Sequence, residues 1–86
     1  MKITVYEDPK HAWGKVPKKK LEELGILDQI TSFSYERNGY LYLEEDCDLP
    51  LFIEAMEDHG ETVEIENQVI NHQSRIQSYK NWNPKK

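Results

Sequence analysis

The chain alternates from its first residues. In "KITVYE", Ile3 and Val5 fall on one side and Thr4 and Tyr6 on the other, the period of two of a half-buried β-strand. From Asp8 to Val16 the alternation gives way to Pro9, His11, Trp13 and Gly14. That run of breakers predicts a loop and puts Trp13 on the surface. Pro17 suits the first turn of a helix through Leu24, and Gly25 is its natural stop. "ITSFSYERNGYLYLEE" predicts two strands around Asn38-Gly39, a dipeptide that tolerates the two positive φ angles of a type I′ turn. Asp48 as N-cap, Pro50 in the first turn and His59-Gly60 at the end delimit a second helix. Its Leu49, Phe52, Ile53 and Met56 recur at helical spacing and read as core. "ETVEIENQVI" is a further strand, with Val63 and Ile65 inward and Thr62, Glu64 and Glu66 outward. Beyond it, one amphipathic turn presents Ile76 and Tyr79 before a tail expected to fray.

The predicted order is β-α-β-β-α-β, an α+β, ferredoxin-like two-layer sandwich with a short C-terminal appendage. Residues 1–71 form the single domain, and 72–86 form the turn and a basic tail. Helices in that fold cover one face of the sheet and leave the other open. The two-residue turn pairs Arg37 with Tyr40, Glu36 with Leu41, Tyr35 with Tyr42 and Phe33 with Glu44, and opposed residues share a face. With Leu41 and Leu43 turned to the helices, Phe33, Tyr35, Tyr40 and Tyr42 reach the open face, joined by Tyr6, unless the C-terminal segment folds back and covers them. Ser34 and Glu36 then point inward, an awkward pair for a core, unless a bulge turns Phe33 inward.

Charge changes this picture. Residues 1–43 hold seven Lys/Arg and six Asp/Glu, residues 44–71 hold ten acids and no Lys or Arg, and residues 72–86 hold four bases and no acid. The overall −5 therefore conceals an acidic block that repels nucleic acid and attracts a basic protein surface. One cysteine cannot form an internal disulfide, and no stretch reads as a signal peptide or membrane span, so a cytoplasmic protein is expected.

The densest chemistry is "EEDCD", Glu44 to Asp48. Glu44, Asp46 and Asp48 alternate as at the start of a calcium loop. Leu49 and Ala55, however, occupy the positions where that loop needs glycine and its closing glutamate. Cys47 has no spaced Cys or His for zinc, and His11, His59 and His72 are scattered. A helix start favours the Cys47 thiolate while its flanking acids oppose it, and no general base is assignable. No metal, cofactor or catalytic residue is expected. The segment reads as a seam: strand end, small thiol and helix-capping acids.

"HAWGKVP" and "LGILDQITSFSYERNGYLYLEEDCDLPLFIEA" together resemble a family of short uncharacterised phage- and prophage-encoded proteins, which share a His-x-Trp element, a Ser-x-Ser-Tyr strand and a Tyr-Leu-Glu-Glu-Asp-Cys-Asp segment. The resemblance spans about His11 to Ala55. It carries over no functional residue and implies a small accessory protein of a bacterial cytoplasm, of a kind that often binds and blocks a host component.

The expectation is a non-catalytic protein that binds, and inhibits, a host or defence protein through Trp13, Tyr35, Tyr40, Tyr42, Glu44, Glu64 and Glu66. The partner would be basic or itself nucleic-acid-binding, and a homodimer through the same sheet face is a second form of that contact. The alternative is a single-stranded nucleic-acid binder that stacks bases on the aromatic face. The carboxylates beside those aromatics disfavour it.

Overall fold

The computed structural model describes residues 1–69 and 75–83. It is an α+β protein in which two helices pack on a six-stranded mixed sheet. In chain order the elements are β1 (Lys2–Glu7), β2 (Ala12–Pro17), α1 (Lys18–Glu23), β3 (Tyr35–Arg37), β4 (Tyr40–Glu44), α2 (Asp48–Asp58), β5 (Glu64–Val69) and β6 (Lys80–Asn81). Short 3-10 turns at Leu27–Gln29 and Arg75–Ser78 complete the list. The sheet order is β5-β1-β2-β4-β3-β6, parallel only between β1 and β5.

The segment expected to be a loop is instead a central strand. A tight turn at Asp8, whose carboxylate accepts the N–H groups of Lys10 and His11 at 2.9 and 2.7 Å, reverses the chain. β2 then pairs with β1 on one side and β4 on the other. Gly14, which suggested a break, is there for close approach: a Cβ would lie 2.6 Å from Leu49 Cδ1, where α2 crosses the strand. Trp13 consequently sits inside a sheet, 2% exposed, rather than on a surface loop.

The hairpin register is as expected, Tyr35 opposite Tyr42, Glu36 opposite Leu41 and Arg37 opposite Tyr40. Asn38 and Gly39 carry φ of 54° and 83°. Leu41 and Leu43 join Ile3, Val5, Ala12 and Val16 on the helix side, where Leu21, Leu24, Phe52 and Met56 cover them. Both helices stop where expected. Ile26 N–H returns to the Leu21 carbonyl past Gly25, and Glu61 N–H to the Met56 carbonyl past Gly60, each glycine having positive φ.

Three placements differ from expectation. Ile65 shares the face of Ile3 but is 47% exposed, because β5 is an edge strand that α2 does not reach over. Phe33 precedes β3 in a turn, 67% exposed, and turns neither onto the ladder nor into the core. Asp48 does not cap α2. It is the helix's first residue, 1% exposed, and its carboxylate accepts the Thr31 N–H, the Thr31 hydroxyl and the Ser34 hydroxyl. Ser34 in turn accepts the Glu44 N–H at 3.0 Å, which explains how a serine opposite the leucines can be fully buried.

Beyond the helices, the other sheet face carries a second cluster of Trp13, Tyr42 and Ile76, with Tyr6, Tyr35 and Tyr79 around it. The turn Arg75–Ser78 lays Ile76 and Tyr79 over the face expected to be open, and β6 follows it onto the edge of β3. Tyr42 is left 8% exposed. The face is covered, not open.

Candidate functional site

Where β2 begins and β4 ends, on the face away from the helices, a groove of about 390 Å³ is lined by His11, Trp13, Phe33, Tyr35, Glu44, Asp46 and Cys47. Three local features build it. The Asp8 turn delivers His11 and Trp13 at i and i+2, on one side of a strand, and their rings stack at 5.3 Å and 26°. The turn at Thr31–Ser34 delivers Phe33, and β3 delivers Tyr35, whose ring meets Trp13 edge-on at 6.2 Å and 70°. Trp13 lies opposite Glu44 in the ladder, so the acidic turn after β4 closes the groove.

That turn is organised by its own carboxylate. Glu44 Oε2 accepts the N–H groups of Asp46 and Cys47, each at 3.0 Å. The segment is thus the expected seam, with the roles redistributed: Glu44 satisfies the free amides and Asp48 locks the Thr31–Ser34 turn to α2. Cys47 is exposed rather than buried. Partial desolvation by its neighbours, then the Glu44, Asp48 and Asp46 carboxylates, hold its thiol above the ordinary value. Desolvation, then Asp46, Glu44 and Glu7, likewise raise Glu45. In both shifts desolvation leads and the neighbouring carboxylates add to it. A thiol held protonated is a poor nucleophile. Replacement of Cys47 by serine should therefore change stability by less than about 0.5 kcal/mol, as exposed substitutions do. Thermal melts and partner binding with the variant check this; a folded variant that no longer binds would assign the thiol a functional role.

Among the residues singled out from the sequence, the fold brings together Trp13, Tyr35 and Glu44. Tyr42 is buried alongside them beneath Tyr79, at 5.1 Å between rings. Tyr40 lies on the far end of β4, its ring capped by Lys15 Nζ at 4.3 Å. Glu64 and Glu66 stand on the β5 edge with β1 between them and β2, and Glu66 pairs with Lys2 at 2.8 Å. His11, Phe33, Asp46 and Cys47 complete the groove; none of the four is among the residues expected to bind a partner. The His-x-Trp spacing is the available signal for His11, and it has meaning only if these residues lead into a strand, not a loop.

No group of three or more His, Cys, Asp or Glu among the described residues is arranged to hold a metal ion. No helix among them is long and apolar enough to cross a membrane. The class that fold and site define is a small α+β protein with an aromatic and acidic groove among its described residues. Compared with protein-family models, curated proteins and solved structures, the chain matches none.

Proposed function

We propose that this is a non-catalytic accessory protein that binds a basic protein surface through the acidic turn after β4 and the groove beside it. The observation that carries this is the groove's lining, in which aromatic rings and carboxylates converge and none of the seven residues is Lys or Arg. Aromatic anchors within an acidic surround suit a cationic protein partner. Glu45 and Asp46 are exposed beside the groove, and α2 carries the further exposed acids Glu54, Glu57 and Asp58 on the other side of the sheet. Glu64 and Glu66 belong to a separate edge and are secondary contacts in this scheme. The resemblance to short phage and prophage proteins fits a bacterial cytoplasm and a host or defence factor as the target, with inhibition following if the bound surface is one the partner needs.

Support for single-stranded nucleic-acid binding is weaker. Base stacking needs exposed rings, and Trp13 and Tyr42 are buried under Ile76 and Tyr79. The same burial removes the motive for a homodimer through that face.

The fold reading that goes with this proposal is a ferredoxin-like sandwich whose first strand is β2 rather than β1. The elements β2-α1-β3-β4-α2-β5 run β-α-β-β-α-β, and with β1 set aside they stand in the order β5-β2-β4-β3. β1 is then an addition between the outer strand β5 and β2.

The test is affinity capture from bacterial lysate, with and without nuclease, using the full chain and an E45K/D46K double variant. Capture of a protein by the wild type that survives nuclease and is lost in the folded double variant supports the proposal. Capture that vanishes with nuclease, or that the charge reversal leaves intact, overturns it.

A further inference from the structure

Resting on that reading of the groove as a partner site, we infer that its ligand is the side chain of an arginine: a guanidinium that stacks against Phe33 and is paired by the acids of the Glu44–Asp46 turn.

The protein's own cations stand over three of its other aromatic rings. Lys15 Nζ stands over Tyr40 at 4.3 Å, the Arg37 guanidinium over Tyr79 at 4.8 Å, and Lys18 Nζ over Trp82 at 5.3 Å. The groove differs. It gathers Trp13, Phe33 and Tyr35 beside Glu44 and Asp46, and among the described residues no Lys or Arg is part of its lining. Phe33 is the telling residue, since a phenyl ring two-thirds exposed in a turn contributes little to the core. The turn that holds it is fixed by a buried network: Thr31 and Ser34 both donate to Asp48, and Phe33 N–H donates to Thr31 Oγ1 at 3.2 Å. An exposed ring on a pinned backbone is preorganised for contact, because little ordering remains to be done on binding.

Charge complementarity selects a cation. Glu44, Glu45 and Asp46 follow one another at the rim, and a positive group beside them is attracted by all three carboxylates. Between cations, the open groove favours guanidinium. Its plane stacks on a ring while its five N–H donors reach more than one carboxylate, and it is more weakly hydrated than an ammonium. Glu44 Oε2 is already engaged by two amides, so pairing falls mainly to the exposed Asp46 carboxylate.

The experiment titrates the isotopically labelled full chain with N-acetyl-arginine amide, following the amides of Phe33, Asp46 and Cys47 and the Trp13 indole N–H by NMR. Saturable shifts confined to these signals are expected. N-acetyl-lysine amide should bind more weakly, and Phe33→Ala and Asp46→Asn should each weaken the arginine probe by about two- to fivefold, the size of an exposed cation–π or ion-pair contact. Both positions are exposed, so both variants should keep the wild-type spectrum elsewhere. Absence of saturable shifts at the groove, equal affinity for the lysine probe, or unchanged affinity in Phe33→Ala each overturns the inference. The probe requires no partner protein, so its failure alongside charge-dependent capture removes only the guanidinium. A probe that binds alongside failed capture keeps the pocket and removes the proposed partner.

Discussion

Trp13→Ala should cost about 3–5 kcal/mol of folding stability, the range for removing a buried aromatic from a well-packed site. Small domains have about 5–15 kcal/mol in total, so the variant should be substantially unfolded at modest urea concentrations. Two independent contacts are lost with the indole, the His11 stack and the Tyr35 edge, and the centre of the second cluster is emptied. Tyr42→Ala should behave similarly for the same reason. A tyrosine on an open face would lose only binding. Tyr42→Phe should be mild, since it keeps the ring and gives up the hydroxyl's contact with Tyr79. The cluster also predicts an alkaline limit. Burial, then Tyr79 and Tyr6, raise the Tyr42 phenol above its ordinary 10.0, against the opposing pull of Arg37. A raised acid favours the neutral ring in the folded state. That stabilisation is complete below the unfolded value and is lost as pH rises through the folded one. Far-UV circular dichroism during urea unfolding suits all three variants, because one of the two tryptophans is removed in one of them. A Trp13→Ala midpoint equal to wild type would mean that the turn at residues 75–78 does not cover the sheet in solution.

The elements that local chemistry specifies were legible in the sequence. The Asn-Gly turn set the β3–β4 register, Gly25 and Gly60 ended the helices, and the Leu49–Met56 stripe marked the buried face of α2. β2 was not legible, because its cues are tertiary. Pro9 belongs to the turn before the strand and Pro17 to its last position, while Gly14 is required by Leu49, a contact 35 residues away in the chain. The alternation of Ala12, Gly14 and Val16 against Trp13 and Lys15 was present but weak in hydrophobicity on the core side. The covered face was half legible. Ile76 and Tyr79 stood out as one amphipathic stripe, yet nothing local indicates where such a stripe docks. The candidate groove depends on both missing facts, since His11 and Trp13 reach it only if residues 12–17 form a strand.

Asp48→Ala should be more damaging than the loss of a helix cap. A cap is worth about 0.5–2 kcal/mol. Asp48 is instead a buried acceptor that joins three segments, and its removal should cost about 2–4 kcal/mol, because hydrogen bonds to a charged group are strong and buried donors left unpaired are penalised. Its carboxylate receives two groups from Thr31 and the Ser34 hydroxyl, and Ser34 passes the connection on to the Glu44 amide. The negative charge also sits at the start of α2, where the helix dipole favours it. Serine separates the two roles. It is as good a cap as aspartate, but one hydroxyl cannot accept from three donors, so Asp48→Ser should remain nearly as unstable as Asp48→Ala. Asparagine keeps the shape and one acceptor oxygen, and should fall between serine and wild type. Coupling to Ser34 is expected as well: Ser34→Ala should cost less in the Asp48→Ala background than in the wild type, since their shared bond is lost only once. Urea midpoints for the four single variants and the double variant measure all of this. Recovery of wild-type stability by serine would return Asp48 to an ordinary cap. It would also release the Thr31–Ser34 turn from the anchor that holds Phe33 at the groove.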